Sequence, residues 1–71
     1  MKIVDDTKLT PREKDIVLLI FRGKNKQEIA DSLFLSVSTI KTNVEHVYQK
    51  FGVHNKVELV VYLVKNNVVE I

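Results

Sequence analysis

A chain of 71 residues has room for one small domain, and its 45% hydrophobic and 28% charged residues are the mix of a folded protein, not of a disordered tail. It has no cysteine, which excludes disulfides and thiolate metal sites, and no apolar run near the ~20 residues that span a bilayer. Residues 8–56 carry nine of the eleven basic and five of the nine acidic side chains, a mild local positive excess inside a net charge of +2 that suits either a polyanion or an ordinary solvated surface. Met1 to Lys8, with Asp5 and Asp6 and no long apolar stretch, does not read as a secretory signal, and none is expected. Residues 1–8 therefore read as a flexible segment, 9–71 as the domain, and the cytoplasm as the expected location. A core this small leaves room for help from a second chain.

The first helix start is Thr10-Pro11-Arg12-Glu13. Thr10 can cap the free N–H groups, Glu13 can reach back to the cap, and Pro11 sits where its missing N–H costs nothing. Ile16, Val17, Leu19, Ile20 and Phe21 follow at helical spacing, and Gly23 stops a helix of about residues 11–22. Leu9 has no staple partner, because that position is Lys14. Asn25-Lys26-Gln27-Glu28 repeats the cap-x-x-Glu pattern and opens a second helix over about 26–33, with Ile29, Ala30 and Leu33 as its apolar stripe. Phe34 and Leu35 fall off that period, and Ser36 caps a third helix over about 37–50. Ile40, Val44, Val47 and Phe51 form one narrow stripe along it, with Ser38, Thr42, Glu45 and Gln49 opposite. Lys41 and Tyr48 flank one side of the stripe; Thr39, Asn43, His46 and Lys50 flank the other. Gly52 ends the helix.

Periodicity leaves the last segment open. Seven of the eight residues Val57 to Val64 are apolar, and a hairpin turning at Lys65-Asn66-Asn67 into Val68–Ile71 is compatible with their β propensity. As a helix over about 56–66, capped by Asn55, the segment has two stripes, Val57, Val60, Val61 and Val64 on one side and Leu59, Tyr62 and Leu63 on the other. The valine stripe is expected to pack inward. That would leave Leu59, Tyr62 and Leu63 uncovered, as a contact between two copies of the chain.

Two helices, a turn of about three residues and a third helix make a helix-turn-helix. Ala30 is small where the helices approach, and Leu33 and Ile40 close the angle. The outward face of the third helix offers short donors and acceptors with one cation, side chains that reach base edges and phosphates. The same face is also what any amphipathic helix shows to water.

Leu9-Thr10-Pro11-Arg12-Glu13, Asn25-Lys26-Gln27-Glu28-Ile29-Ala30, Leu33-Phe34-Leu35-Ser36, Ser38-Thr39-Ile40-Lys41 and Phe51-Gly52-Val53 together resemble the LuxR/GerE-type helix-turn-helix domain of bacteria. This is the output domain of NarL/FixJ response regulators and of quorum-sensing regulators, found alone in a small sporulation regulator. The resemblance runs in order and without gaps over about residues 9 to 66. It implies an all-α, four-helix bundle around a central helix-turn-helix, which favours a helix over a hairpin for the last segment.

It also implies a sequence-specific regulator of transcription that binds double-stranded DNA as a homodimer, on an imperfect inverted repeat. RNA polymerase is a further candidate partner. Ser38, Lys41, Thr42 and Glu45 would meet base edges in the major groove. Lys26, Ser36, Thr39, Asn43, Lys50 and Lys56 would meet phosphates, and Leu59, Tyr62 and Leu63 would form the dimer contact. Two positions depart from the family: Asn43 stands where His is frequent, and Glu45 stands where some members have a base-contacting Lys. Glu45 could accept from cytosine N4 or repel phosphate and narrow the tolerated sites.

No enzyme is expected. The hydroxyls of Ser36, Ser38 and Thr39 lack a His–acid pair, no glycine-rich phosphate loop is present, and His46 and His54 do not make a zinc site. No cofactor, metal, membrane or small-molecule substrate is expected. Two alternatives share the sequence features: a sigma-factor-like promoter-recognition domain, and a protein-interaction module working through the apolar last segment.

Overall fold

Each helix begins on a side-chain cap and ends on a left-handed residue, and these eight local events lay out the chain. The computed structural model describes residues 2–3 and 9–70. In order it has β1 (Lys2–Ile3), α1 (Pro11–Phe21), α2 (Lys26–Leu33), α3 (Val37–Phe51), α4 (Lys56–Lys65) and β2 (Val69–Glu70). Thr10, Asn25, Ser36 and Asn55 each accept from the backbone N–H three residues on, which satisfies one orphan donor per helix. Glu13 and Glu28 return the bond to the cap residue, completing two capping boxes. Glu58 reaches one residue further back and accepts from His54 N–H at 2.7 Å.

The four helix ends share one device. Gly23, Phe34, Gly52 and Asn67 have φ of 86°, 58°, 68° and 56°. Each donates its N–H three residues back, and the following residue donates five back, as in Lys24 N–H to Leu19 O and Val68 N–H to Leu63 O. Glycine and asparagine take this conformation readily. Phe34 does not, and it is 94% exposed, so no burial compensates.

The core is assembled from all four helices. Ile16, Val17 and Ile20 of α1, Ile29 and Ala30 of α2, Ile40, Val44 and Val47 of α3, and Leu59 and Leu63 of α4 are buried together with Leu9 and Val68. Ala30 and Ile40 are both buried where α2 and α3 meet across the three-residue turn, as their sizes imply. The last segment is helical, which excludes the hairpin. Its C-terminal residues nevertheless form a strand, pairing antiparallel with the N-terminus: Lys2 opposite Glu70 and Ile3 opposite Val69. Of the segment 1–8, expected to be flexible, Lys2–Ile3 are the residues in this pairing. Its other residues, Asp5 and Asp6 among them, lie outside the described residues.

One sequence expectation is reversed. Leu59 and Leu63 are fully buried, whereas Val57, Val61 and Val64 are 72%, 56% and 50% exposed. Leu59 and Leu63 therefore cannot be a dimer contact. The leucines fill the space against α1 and α3 with longer side chains than valine offers, and each buried leucine contributes about 1.5–3 kcal/mol. Tyr62, at the edge of the buried stripe, is half-buried and packs its ring on Phe51 at 5.1 Å between centroids.

Left-handed backbone costs an L-residue about 1–2 kcal/mol, and glycine returns part of that as unfolded-state entropy. Phe34→Gly is therefore expected to raise stability by about 0.5–1 kcal/mol in urea unfolding. Equal or lower stability would mean that Phe34 makes a compensating contact in the native state.

Candidate nucleic-acid interface

α3 presents its polar face to solvent because the opposite face is committed to the core. Ile40 and Val47 have no exposure and Val44 almost none, which fixes the rotation of the helix about its axis. Ser38, Lys41, Thr42, Glu45 and Gln49 consequently stand exposed along one outward strip. Thr39 and His46 are exposed on its flank, and Asn43 is half-buried there. Thr42 donates its hydroxyl to the carbonyl of Ser38 at 3.2 Å, so it offers a neighbour its methyl group and an acceptor.

The start of α3 differs from the other three helix starts. α1, α2 and α4 each carry a glutamate in the first turn, and α3 carries none. Ser36 instead donates to the Thr39 hydroxyl at 2.9 Å while accepting from the Thr39 N–H. The N-terminal end of α3, with its partial positive charge, is thus not neutralised by an acid of its own first turn.

Lys26 and Lys56 are the first residues of α2 and α4, and they come together with Lys24 around a cleft beside α3. Lys50 is placed differently from the sequence expectation. Its ammonium donates to Glu13 Oε1 at 2.5 Å, and the pair is half-sheltered, with side-chain exposures of 33% and 8%. Lys50 is therefore held as a structural partner of Glu13, a role beyond the phosphate contact expected of it. Burial pushes the Glu13 carboxyl up, but the hydrogen bonds from Lys50 and from Thr10 N–H and the Lys50 charge outweigh it, so its pKa lies below the ordinary value. Among the described residues no group of three or more His, Cys, Asp or Glu side chains could hold a metal, and no helix is long and apolar enough to cross a membrane.

The comparisons with known proteins agree with this geometry. The model of bacterial regulatory proteins of the luxR family matches residues 7–63. The chain belongs to the luxR family. It is 36% identical over 62 residues to the response regulator protein VraR of Staphylococcus aureus, covering 87% of this chain and 30% of that protein. A Mycobacterium bovis protein named as an HTH-type transcriptional regulator is 44% identical over 52 residues, covering 73% of this chain and 6% of its own length. The chain thus spans under a third of these relatives. The solution structure of the DNA-binding domain of the Erwinia amylovora RcsB protein superposes with a TM-score of 0.81 at 28% identity, covering 99% of this chain and 80% of that one. The Vibrio cholerae VqmA dimer superposes at 0.82 and 30% identity over 86% of this chain and 28% of its own. This family is one of DNA-binding transcription regulators with a helix-turn-helix, not a class of enzymes.

The Glu13–Lys50 pair is a feature of this chain that sequence reasoning missed. Glu13 was legible as half of a capping box, but its second bond spans 37 residues and no local pattern encodes it. Because the folded-state pKa of Glu13 is depressed, its contribution is present above the ordinary carboxylate pKa and is lost as pH falls through the folded-state value. Glu13→Gln should therefore lower stability at neutral pH by about 2 kcal/mol and lose less than the parent on acidification. Thermal unfolding across the acid range checks this; parallel pH profiles for the two proteins would remove the ion pair as the cause.

Proposed function

We propose that this chain binds double-stranded DNA sequence-specifically to regulate transcription, with α3 in the major groove. The observation that carries this is the outward strip of α3: Ser38, Lys41, Thr42 and Glu45 are exposed on a helix whose rotation the core fixes. Lys41 reads a base edge, with Ser38 and Thr42 beside it and Glu45 restricting which bases are tolerated. Lys26, Lys56, Ser36, Thr39 and Asn43 position the duplex through its phosphates. Placement of the protein in the cytoplasm follows from that role.

A homodimer on an imperfect inverted repeat completes the reading, with a corrected contact face. Val57, Val61 and Val64 form an exposed stripe at four- and three-residue spacing along α4. Two-fold pairing of these stripes covers them and sets two copies of α3 about one DNA turn apart. One helix per subunit is a small interface, so the dimer forms chiefly on DNA.

Lys41→Ala should cost specific binding about 1–3 kcal/mol, while Lys26→Ala should weaken all sequences alike and reduce the salt slope by about one ion. Glu45→Gln should tighten non-specific binding and broaden the preferred site. Binding selection followed by salt titration measures all three. An unchanged ratio of specific to non-specific affinity in Lys41→Ala would exclude a base contact by Lys41.

Val61→Asp tests the dimer. The position is solvent-facing, so the monomer should keep its stability within about 0.5 kcal/mol, yet cooperative binding to an inverted repeat should fall about tenfold. Leu63→Asp, by contrast, should unfold the chain by burying an unpaired charge. Undiminished cooperativity in folded Val61→Asp, followed by analytical ultracentrifugation with the duplex, would place the contact elsewhere.

A further inference from the structure

The cleft beside the outward strip of α3 contains two polar groups that no role above uses. It measures about 170 Å³ and is floored by Ile20, Ile29 and Val44. Lys24, Asn25, Lys26, Tyr48 and Lys56 complete its lining, so three lysines from two distant stretches of the chain border one cleft together with a tyrosine. Among the described residues none of these lysines is in an ion pair. Glu28 and Glu58, the acids of the two adjoining helix starts, are committed to the N–H groups of Asn25 and His54.

The arrangement works against the stability of the free chain. Lys26 and Lys56 are the first residues of α2 and α4, at helix ends that already carry partial positive charge. Cations gain at the other end of a helix. An anion in the cleft would relieve this repulsion. Tyr48 supplies a neutral donor, since burial pushes its pKa up and its hydroxyl makes no hydrogen bond among the described residues.

Position on α3 selects the anion. Seven residues separate Lys41 from Tyr48, about two turns, so both lie on the same side of the helix within about 20° and about 10 Å apart along it. A DNA strand whose base edges meet Lys41 carries its backbone past Tyr48, because the groove walls stand only about 12 Å apart.

We propose that this cleft clamps the sugar-phosphate backbone of the bound duplex, with Lys24 and the Tyr48 hydroxyl joining Lys26 and Lys56 as phosphate donors. The clamp rests on the placement of α3 in the major groove. It is sequence-blind: it sets how deep and in which register α3 sits, and Lys24 contributes through charge whereas Tyr48 contributes through a neutral hydrogen bond.

Lys24→Gln, Lys24→Arg and Tyr48→Phe are compared with the parent chain on a duplex recovered by binding selection with the parent and on bulk genomic DNA, over about 50–200 mM salt. Lys24→Gln should weaken both DNAs by the same factor and reduce the salt slope by about 0.9, so its affinity falls about threefold less across that range. Lys24→Arg should keep the parent's slope. Tyr48→Phe should weaken both DNAs equally and leave the slope unchanged. Thermal stability of Lys24→Gln should equal or exceed the parent's, which a structural lysine would not allow. Unchanged affinity and slope in Lys24→Gln, or a change confined to the selected duplex, would overturn the clamp. If Lys41→Ala alters site preference while Lys24→Gln and Tyr48→Phe are silent, the clamp alone fails. A parent chain that binds no duplex overturns both. Binding of inorganic phosphate at the cleft without any effect of these variants on DNA affinity would also overturn it.

Discussion

Glu13 joins the beginning of α1 to the end of α3 with a single carboxylate. One oxygen accepts the N–H of Thr10 at 2.9 Å and the ammonium of Lys50 at 2.5 Å. A cap that would otherwise be a local event thereby becomes a tertiary constraint. α3 is anchored near its far end by this pair, along its middle by Val44 and Val47, and near its start by Ile40 against α2. Three attachments spread over the helix leave it little freedom to roll, and the exposure of Ser38, Lys41, Thr42 and Glu45 follows from that. Such a pair is weak support for stability compared with apolar packing, but removing one partner leaves the other poorly solvated. Its worth here lies in fixing orientation.

The distribution of charge fits a chain that meets a polyanion. The one lysine of α3's last turn is spent on Glu13, whereas the lysines at the starts of α2 and α4 sit where helix dipoles disfavour them. Glutamates occupy the first turns of α1, α2 and α4 but are missing from α3. A chain under selection for stability alone would invert several of these choices. The net charge of +2 conceals the pattern, because the sum does not record which ends of which helices the charges occupy.

Phe34 and the valines of α4 are exposures of different kinds. Phe34 stands alone, left-handed and 94% exposed in the turn before α3. Val57, Val61 and Val64 make a continuous stripe, with Val53 on the α3–α4 connection bordering the same surface as Val57 and Val61. A continuous apolar stripe on a short helix is costly in water, and the same stripe on a second copy of the chain is complementary to it.

The sequence by itself determined the helices and their limits. Thr10, Asn25, Ser36 and Asn55 start them, and Gly23 and Gly52 stop two, because capping uses atoms within three to five residues of each other. The outward strip of α3 was legible for the same reason, since one narrow apolar stripe leaves only one way to bury the helix. α4 was legible as a helix only through the family motifs around it, and it has two apolar stripes. The choice between them was made by the shape of the space that α1 and α3 leave, which longer leucines fill and valines do not. Lys50 was one base among several in the sequence, and it became a structural partner only when folding brought Glu13 to it across 37 residues. The cleft of Lys24, Lys26, Tyr48 and Lys56 likewise exists only after α2, α3 and α4 are packed. Local hydrogen bonds and periodicity are written in the order of residues; which stripe is buried and which distant charges meet depend on packing, which that order encodes only through the whole fold.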